Sequence, residues 1–329
     1  MTWLSADLSG EVMKCRALCK GGPRISEVGF GAGPFRGLDW GPVNDETSIR
    51  AVHRALDLGV TLFDTADAYG NGRSERVLGR ALEGRRERVV LATKGGWWYV
   101  DGAAYCDFSL IYLCRALEAS LRCLRTDCID LYYIHDPDVE TIRRGGVFEF
   151  LTRMKSAGAI RLAGVSIDTV EQGRLCIESG CVDVIQIYYN ILDQRPDPGL
   201  FESARNAGVG TVIKAPLARG LLSGKYSRDA RFPDGDFREG WRRDGRLHRA
   251  LAQVARVEAL VGDRSPSLAQ TALRFVLSHQ DVSCVIPGAK TPEQAEANAA
   301  VSEMGSLDEA DVTALKMLYR EMAGPFDAR

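Results

Sequence analysis

A carboxylate and a phenol stand five positions apart in Phe63-Asp64-Thr65-Ala66-Asp67-Ala68-Tyr69-Gly70, where an apolar run gives way to a loop. Two further apolar runs close on ionisable groups, Leu91-Ala92-Thr93-Lys94 and Asp130-Leu131-Tyr132-Tyr133-Ile134-His135. A buried strand that ends on Lys or His carries a desolvation cost unless the group is paired or sits at a site. Each residue alone has an ordinary reading: Asp64 as a loop cap, Lys94 in solvent, His135 as a satisfied rim histidine. On adjacent strand ends the four have a joint use. A phenol with a pKa of about 10 is a poor acid near neutrality, and a neighbouring ammonium favours its anion, easing proton release. Asp64 would hold Lys94 charged, Lys94 would activate Tyr69, and His135 would donate to a carbonyl oxygen. That set suits hydride addition to a carbonyl, with Tyr69 supplying the proton as charge grows on oxygen. It needs no metal. Asp67 and Asp136 either extend the network or are exposed loop carboxylates.

Eight short apolar runs supply such strand ends: Val28 to Gly31, Thr61 to Asp64, Val89 to Lys94, Ile129 to His135, Leu162 to Ser166, Val184 to Tyr188, Thr211 to Ala215 and Cys284 to Gly288. Each is too short for a helix, and amphipathic stretches separate them, the pattern of an α/β fold with a parallel sheet. Helix starts are legible at Asn44-Asp45-Glu46, Ser74-Glu75 and Thr291-Pro292-Glu293, the last with proline at the first helical position. Eight repeats predict a (β/α)8 TIM barrel with its site where strands end. The rival is an open doubly wound sheet. Its first loop would be expected to read G-x-G-x-x-G, whereas Gly29-Phe30-Gly31-Ala32-Gly33-Pro34 stands there. Residues 1 to 25 predict an N-terminal hairpin, with Met13 to Leu18 and Pro23 to Glu27 flanking Gly21-Gly22. Residues 216 to 266 form a long excursion with one helix near Leu247 to Leu260, and Leu307 to Met322 reads as an extra C-terminal helix.

The 329 residues exceed a typical domain length, yet barrels of this size are common, so residues 1–329 are read as one domain. Forty-two basic against 44 acidic residues leave a net charge of −2, which gives no reason to expect a nucleic acid partner. Charged residues interrupt the first twenty positions, and no apolar run approaches membrane length, so a soluble, cytoplasmic protein is expected. Nine scattered cysteines without a C-x-x-C pair read as reduced, small hydrophobes.

From about Arg24 to Asn298 the chain resembles the aldo-keto reductase family. The resemblance is carried by Phe63-Asp64-Thr65-Ala66 with Tyr69-Gly70, Ser74-Glu75 with Leu78-Gly79-Arg80-Ala81-Leu82, Thr93-Lys94, and Asp130-Leu131-Tyr132 with His135. Gly164-Val165-Ser166, Pro216-Leu217, Gly220-Leu221-Leu222, Gly224-Lys225-Tyr226 and Ile286-Pro287-Gly288 complete it. The resemblance implies the barrel, NADPH as hydride donor, and the roles given above for Asp64, Tyr69, Lys94 and His135. It also implies a cofactor path along Gly31, Ser166, Gln186, Pro216, Leu217, Gly220, Lys225, Gly288, Lys290, Gln294 and Asn298. Ser166 and Gln186 would meet the nicotinamide amide, Leu217, Gly220 and Lys225 the pyrophosphate, and Lys290 the 2′-phosphate; the competing reading makes Lys290 a solvated loop lysine.

Three positions depart from the family pattern. Ile167 stands where Asn commonly follows the serine, Lys214 where an aromatic residue commonly stacks on the nicotinamide, and Ala297 where many relatives have Glu. Lys214 could instead approach a phosphate or an acidic substrate. Phe35, Trp40, Trp97 and Trp98, with Tyr99, are loop aromatics that either contact substrate or pack their loops. Phe232, Phe237 and Trp241 read as a lid, and their arginine neighbours as a solvated face. The expected partner is a small carbonyl compound: aldehyde, ketone or keto-sugar. Two other functions stay open, an NADPH-sensing regulatory subunit and a barrel aldolase using Lys94 as a Schiff base.

Overall fold

Strands whose residues are buried on both faces need cover inside and outside, and closing the sheet on itself provides the inside. In the computed structural model, which describes residues 13–37, 40–233, 235–262 and 267–322, the eight apolar runs form β3 (Phe30–Gly31), β4 (Leu62–Asp64), β5 (Val90–Gly95), β8 (Ile129–His135), β9 (Ile160–Ser166), β10 (Val184–Tyr188), β11 (Gly210–Lys214) and β12 (Cys284–Val285). All neighbouring pairs are parallel, in the order β12-β11-β10-β9-β8-β5-β4-β3. Parallel bridges Val28 to Val285 and Gly31 to Gly288 join the two edges, with Gly29 N donating to Val285 O at 2.8 Å. The closed seam makes a barrel and excludes the open doubly wound sheet.

The two-residue period of a strand then decides what lies inside. Leu62, Val90, Ala92, Leu131, Tyr133, Leu162, Val184, Val212, Cys284 and Ile286 form an inner core, while the alternate positions join the outer core under the helices. The N-terminal hairpin, β1 (Cys15–Ala17) paired antiparallel with β2 (Arg24–Ser26), contributes Leu18, Cys19 and Ile25 to that inner core, so it plugs the barrel floor. Its segment before Met13 lies outside the described residues.

Helix starts follow the expected chemistry. The Asn44 side chain accepts from Thr47 N at 2.9 Å to begin Asp45–Asp57, and Thr291 caps Pro292–Ala299 with proline in the first turn. The excursion helix spans Arg246–Val261, and the C-terminal helix Glu309–Glu321.

Two expectations change. Trp97 to Tyr99 lie not in a loop but in a β-hairpin, β6 (Trp97–Val100) against β7 (Ala103–Cys106). It turns at Asp101 and Gly102, both with positive φ (49° and 81°), the two-residue turn whose twist suits a hairpin. The excursion also holds a second helix, Arg238–Arg243, in which Trp241 is buried, as is Arg238. Arg238 belongs to no solvated face: it forms a forked ion pair with Asp236 and lies over the rings of Trp40, Phe232 and Phe237. Among the described residues no helix is long and apolar enough to cross a membrane.

Candidate active site

The alternation that fills the barrel also builds its mouth. One step beyond Leu62 is Asp64, beyond Ala92 is Lys94, and beyond Tyr133 is His135, all reaching the same end of the sheet. Lys94 Nζ donates to Asp64 Oδ1 at 2.5 Å and to Thr65 O at 2.8 Å, and Gln186 Nε2 donates to the other Asp64 oxygen at 2.8 Å. Tyr69 enters from the loop after β4, with its ring centre 5.2 Å from Lys94 Nζ and 5.9 Å from the His135 ring, which it meets at right angles. The four residues expected to act together are therefore adjacent.

Their charge states follow from burial and neighbours. Burial alone would depress the Lys94 ammonium, but Asp64 and then Tyr69 outweigh it, and its pKa lies above the ordinary value. Burial raises the Tyr69 phenol despite the opposing pull of Lys94, so near neutrality it carries its proton. Burial lowers His135 to about 3 against the pull of Asp136, leaving a neutral imidazole. Its Nδ1 is buried with no hydrogen-bond partner among the described residues, and Trp97 Nε1 donates to its carbonyl at 2.7 Å.

The sequence does not single out Arg36 or Tyr188 for a role, and it names no partner for Asp67, Asp136 or Lys214. Arg36 lies 5.4 Å over the Tyr69 ring and 5.7 Å over that of Tyr99, and Asn71 ties the Tyr69 loop to the hairpin by donating to Tyr99 O at 2.7 Å. Asp67 is half-buried rather than a solvated loop carboxylate; it accepts from Ala68 N and Gly96 N, and burial with nearby Glu75 pushes its pKa well up. Asp136 is likewise engaged. Lys214 Nζ donates to Asp136 Oδ1 at 2.6 Å, Ser166 Oγ at 2.9 Å and Asp168 Oδ1 at 3.1 Å, and Ser166 donates to Asp136 at 2.6 Å. With two carboxylates around it, Lys214 is not an open receptor for an acidic group. Tyr188, paired with Lys214 across β10 and β11, places its ring 4.5 Å from Nζ and accepts from Arg219 through its hydroxyl at 2.8 Å. Strand alternation from Gln186 and Val212 was the available signal for both.

The other expected positions divide. Gly31 and Gly288 meet at the barrel seam, where a Cβ on Gly31 would stand 2.8 Å from Ile286 O. Beside them Lys290 N donates to Gln294 Oε1 at 2.8 Å, and Asn298 Nδ2 to Gly288 O at 3.4 Å. Lys290 Nζ bonds the carbonyl of Trp40, and burial together with the Arg238 and Lys225 charges lowers its pKa. Pro216, Leu217 and Gly220 lie in the turn after β11 that bends through positive φ at Ala218, Arg219 and Gly220. Phe35 is fully buried against Phe30 and supports its loop. Trp40 packs edge-on against Phe237 at 5.3 Å, and Trp98 lies against Tyr105 and Tyr112. Trp97 stays beside His135.

The barrel agrees with what known proteins show. Residues 27–320 match the Aldo/keto reductase family, and the chain belongs to it. The aldo-keto reductase yakc of Schizosaccharomyces pombe, whose name specifies NADP(+), is 32% identical over 84% of this chain and 84% of its own. The NADH-specific methylglyoxal reductase of Escherichia coli is 29% identical over 91% of this chain and 95% of its own. The aldo-keto reductase AKR11C1 from Bacillus halodurans, in its holo form, superposes with a TM-score of 0.77 at 30% identity, covering 93% of this chain and 96% of that one. An oxidoreductase working with a nicotinamide cofactor follows from the family; which cofactor does not, since the two named relatives differ.

Proposed function

We infer that this barrel is an NADPH-dependent reductase that converts a small aldehyde, ketone or keto-sugar to its alcohol, with Tyr69 as general acid. One observation carries the reading: a buried ammonium, fixed 2.5 Å from the Asp64 carboxylate, stands against the ring of a protonated Tyr69 that shares the mouth with a neutral His135. Neutral His135 can donate one N–H to a carbonyl oxygen and hold it beside the phenol. Tyr69 then gives up its proton, and the charges of Lys94, Arg36 and Lys214 favour the phenolate left behind. The bound nicotinamide supplies the hydride.

The donor set fits that cofactor. Burial lowers the Lys290 pKa, with Arg238 and Lys225 adding to it against Asp236, and Lys290 precedes the first turn of Pro292–Ala299, where helix amides favour an anion. Ser166 and Gln186 bring polar groups to the inner end of the path. The aldolase reading fares worse, because a Schiff base needs a neutral amine and the ion pair holds Lys94 charged. The nine free cysteines support a reducing, cytoplasmic setting.

Turnover of NADPH with a panel of aldehydes, ketones and keto-sugars tests the reading. Oxidation with at least one is expected; binding without oxidation across the panel would leave a sensor instead. Lys290→Glu should weaken NADPH by about tenfold or more while changing NADH little, the scale of one charge-assisted contact. Equal losses for the two cofactors would remove the 2′-phosphate role.

A further inference from the structure

A carboxamide is read best by a paired donor and acceptor, one for its oxygen and one for its NH2. In this chain the residue after Ser166 is Ile167, wholly buried and without a polar atom. Across the mouth, where a ring would be expected, stands Lys214, its ammonium 2.9 Å from Ser166 Oγ and 2.6 Å from Asp136 Oδ1. Lys214 therefore reaches the serine beside the first departure, whose own side chain, Ile167, packs in the outer core. Asp136 Oδ1 takes both the lysine and the serine, while Oδ2 turns toward His135, 3.9 Å from Nε2.

The backbone is bent to make this arrangement. Asp136 has φ of 46° and Ala215, directly after Lys214, has φ of 49°, left-handed values that are costly for side-chain-bearing residues and persist where surrounding contacts enforce them. The Lys214 ammonium has three N–H groups, given to Asp136, Ser166 and Asp168. The longest bond, 3.1 Å, goes to the rim residue Asp168, and it is the one a ligand can exchange most cheaply.

We propose that Lys214 and Asp136 form the recognition pair for the nicotinamide carboxamide, Lys214 donating to its oxygen in exchange for Asp168 and Asp136 accepting from its NH2. Tyr188, held by Lys214 and Arg219, supplies the aromatic wall from the neighbouring strand that position 214 lacks. The inference rests on the nicotinamide-dependent reading above, and its test separates the two.

Calorimetric affinities of NADP+ and of its 3-acetylpyridine analogue, which keeps the carbonyl but lacks the NH2, are measured for the wild type, Asp136→Asn and Lys214→Met. A Lys214→Met/Asp168→Asn double variant guards against a fold upset by unpaired carboxylates, and thermal melting checks each protein. The wild type should prefer NADP+ by about tenfold, the scale of one hydrogen bond to a charged group. Asp136→Asn should erase most of that preference. Lys214→Met and the double variant should weaken both ligands by about tenfold, since both carry the carbonyl. An unchanged preference in Asp136→Asn, or unchanged affinity in both folded Lys214 variants, overturns the inference while the enzyme assignment stands. If the wild type binds neither NADP(H) nor NAD(H), the broader reading falls as well.

Discussion

Burial keeps His135 neutral, with a single ring N–H to donate, by lowering its pKa to about 3. The unfolded chain has an ordinary histidine near pKa 6.5, so below about pH 6.5 the unfolded state binds a proton that the folded state refuses. Stability from this residue is complete above that value and falls with pH down to about 3. Urea unfolding of the wild type should therefore lose about 2 kcal/mol more than that of His135→Asn between about pH 6.5 and pH 5. Equal losses would mean that the imidazole is not desolvated. Lys94 makes a second residue-scale case. Removing one partner of a buried ion pair leaves the other charge uncompensated, so Lys94→Met should destabilise by about 3–5 kcal/mol. Adding Asp64→Asn should recover a large part of that loss in the same melts; no recovery would show that the pair does not couple.

Among the elements, the helix Arg73–Ala81 fixes the Tyr69 loop from behind, and it approaches the helix Leu110–Leu124 through Gly79. A Cβ there would lie 2.5 Å from Cys123 O and 2.9 Å from Leu124 Cα, backbone atoms that cannot move aside. Gly79→Ala should cost about 1–3 kcal/mol by overpacking, measured by chemical denaturation, although alanine is the better helix former. A stabilised variant would show that the two helices can part freely. The hairpin of β6 and β7 stands where the aromatic run alone suggests a loop, yet its Asp101-Gly102 turn between Val100 and Ala103 carries a strong local hairpin signal. Three consecutive aromatics, Trp97-Trp98-Tyr99, hide the alternation that would mark a strand. Trp98 in fact spends its face on Tyr105 and Tyr112.

At the scale of the molecule, the barrel was legible because its strands are buried on both faces and so read as short apolar runs between helices. The four candidate residues were legible because each ends such a run or lies in the loop that follows it. What could not be read is whatever depends on meetings across the mouth. Arg238 looks like one of many arginines in a polar excursion until Trp40, from the first loop, is brought over it. Asp136 looks like a loop acid until Lys214, far along the chain, reaches it. Strand alternation gives the direction of Lys214, but not which partner it will find.

In the proposed reaction the hydroxyl of Tyr69 is the proton source. Turnover and NADPH affinity of Tyr69→Phe, measured on a carbonyl that the wild type reduces, test this most directly. Turnover should fall by about a hundredfold or more, the scale of losing a general acid, with affinity held within about twofold. A variant that turns over as fast as the wild type would contradict the assignment.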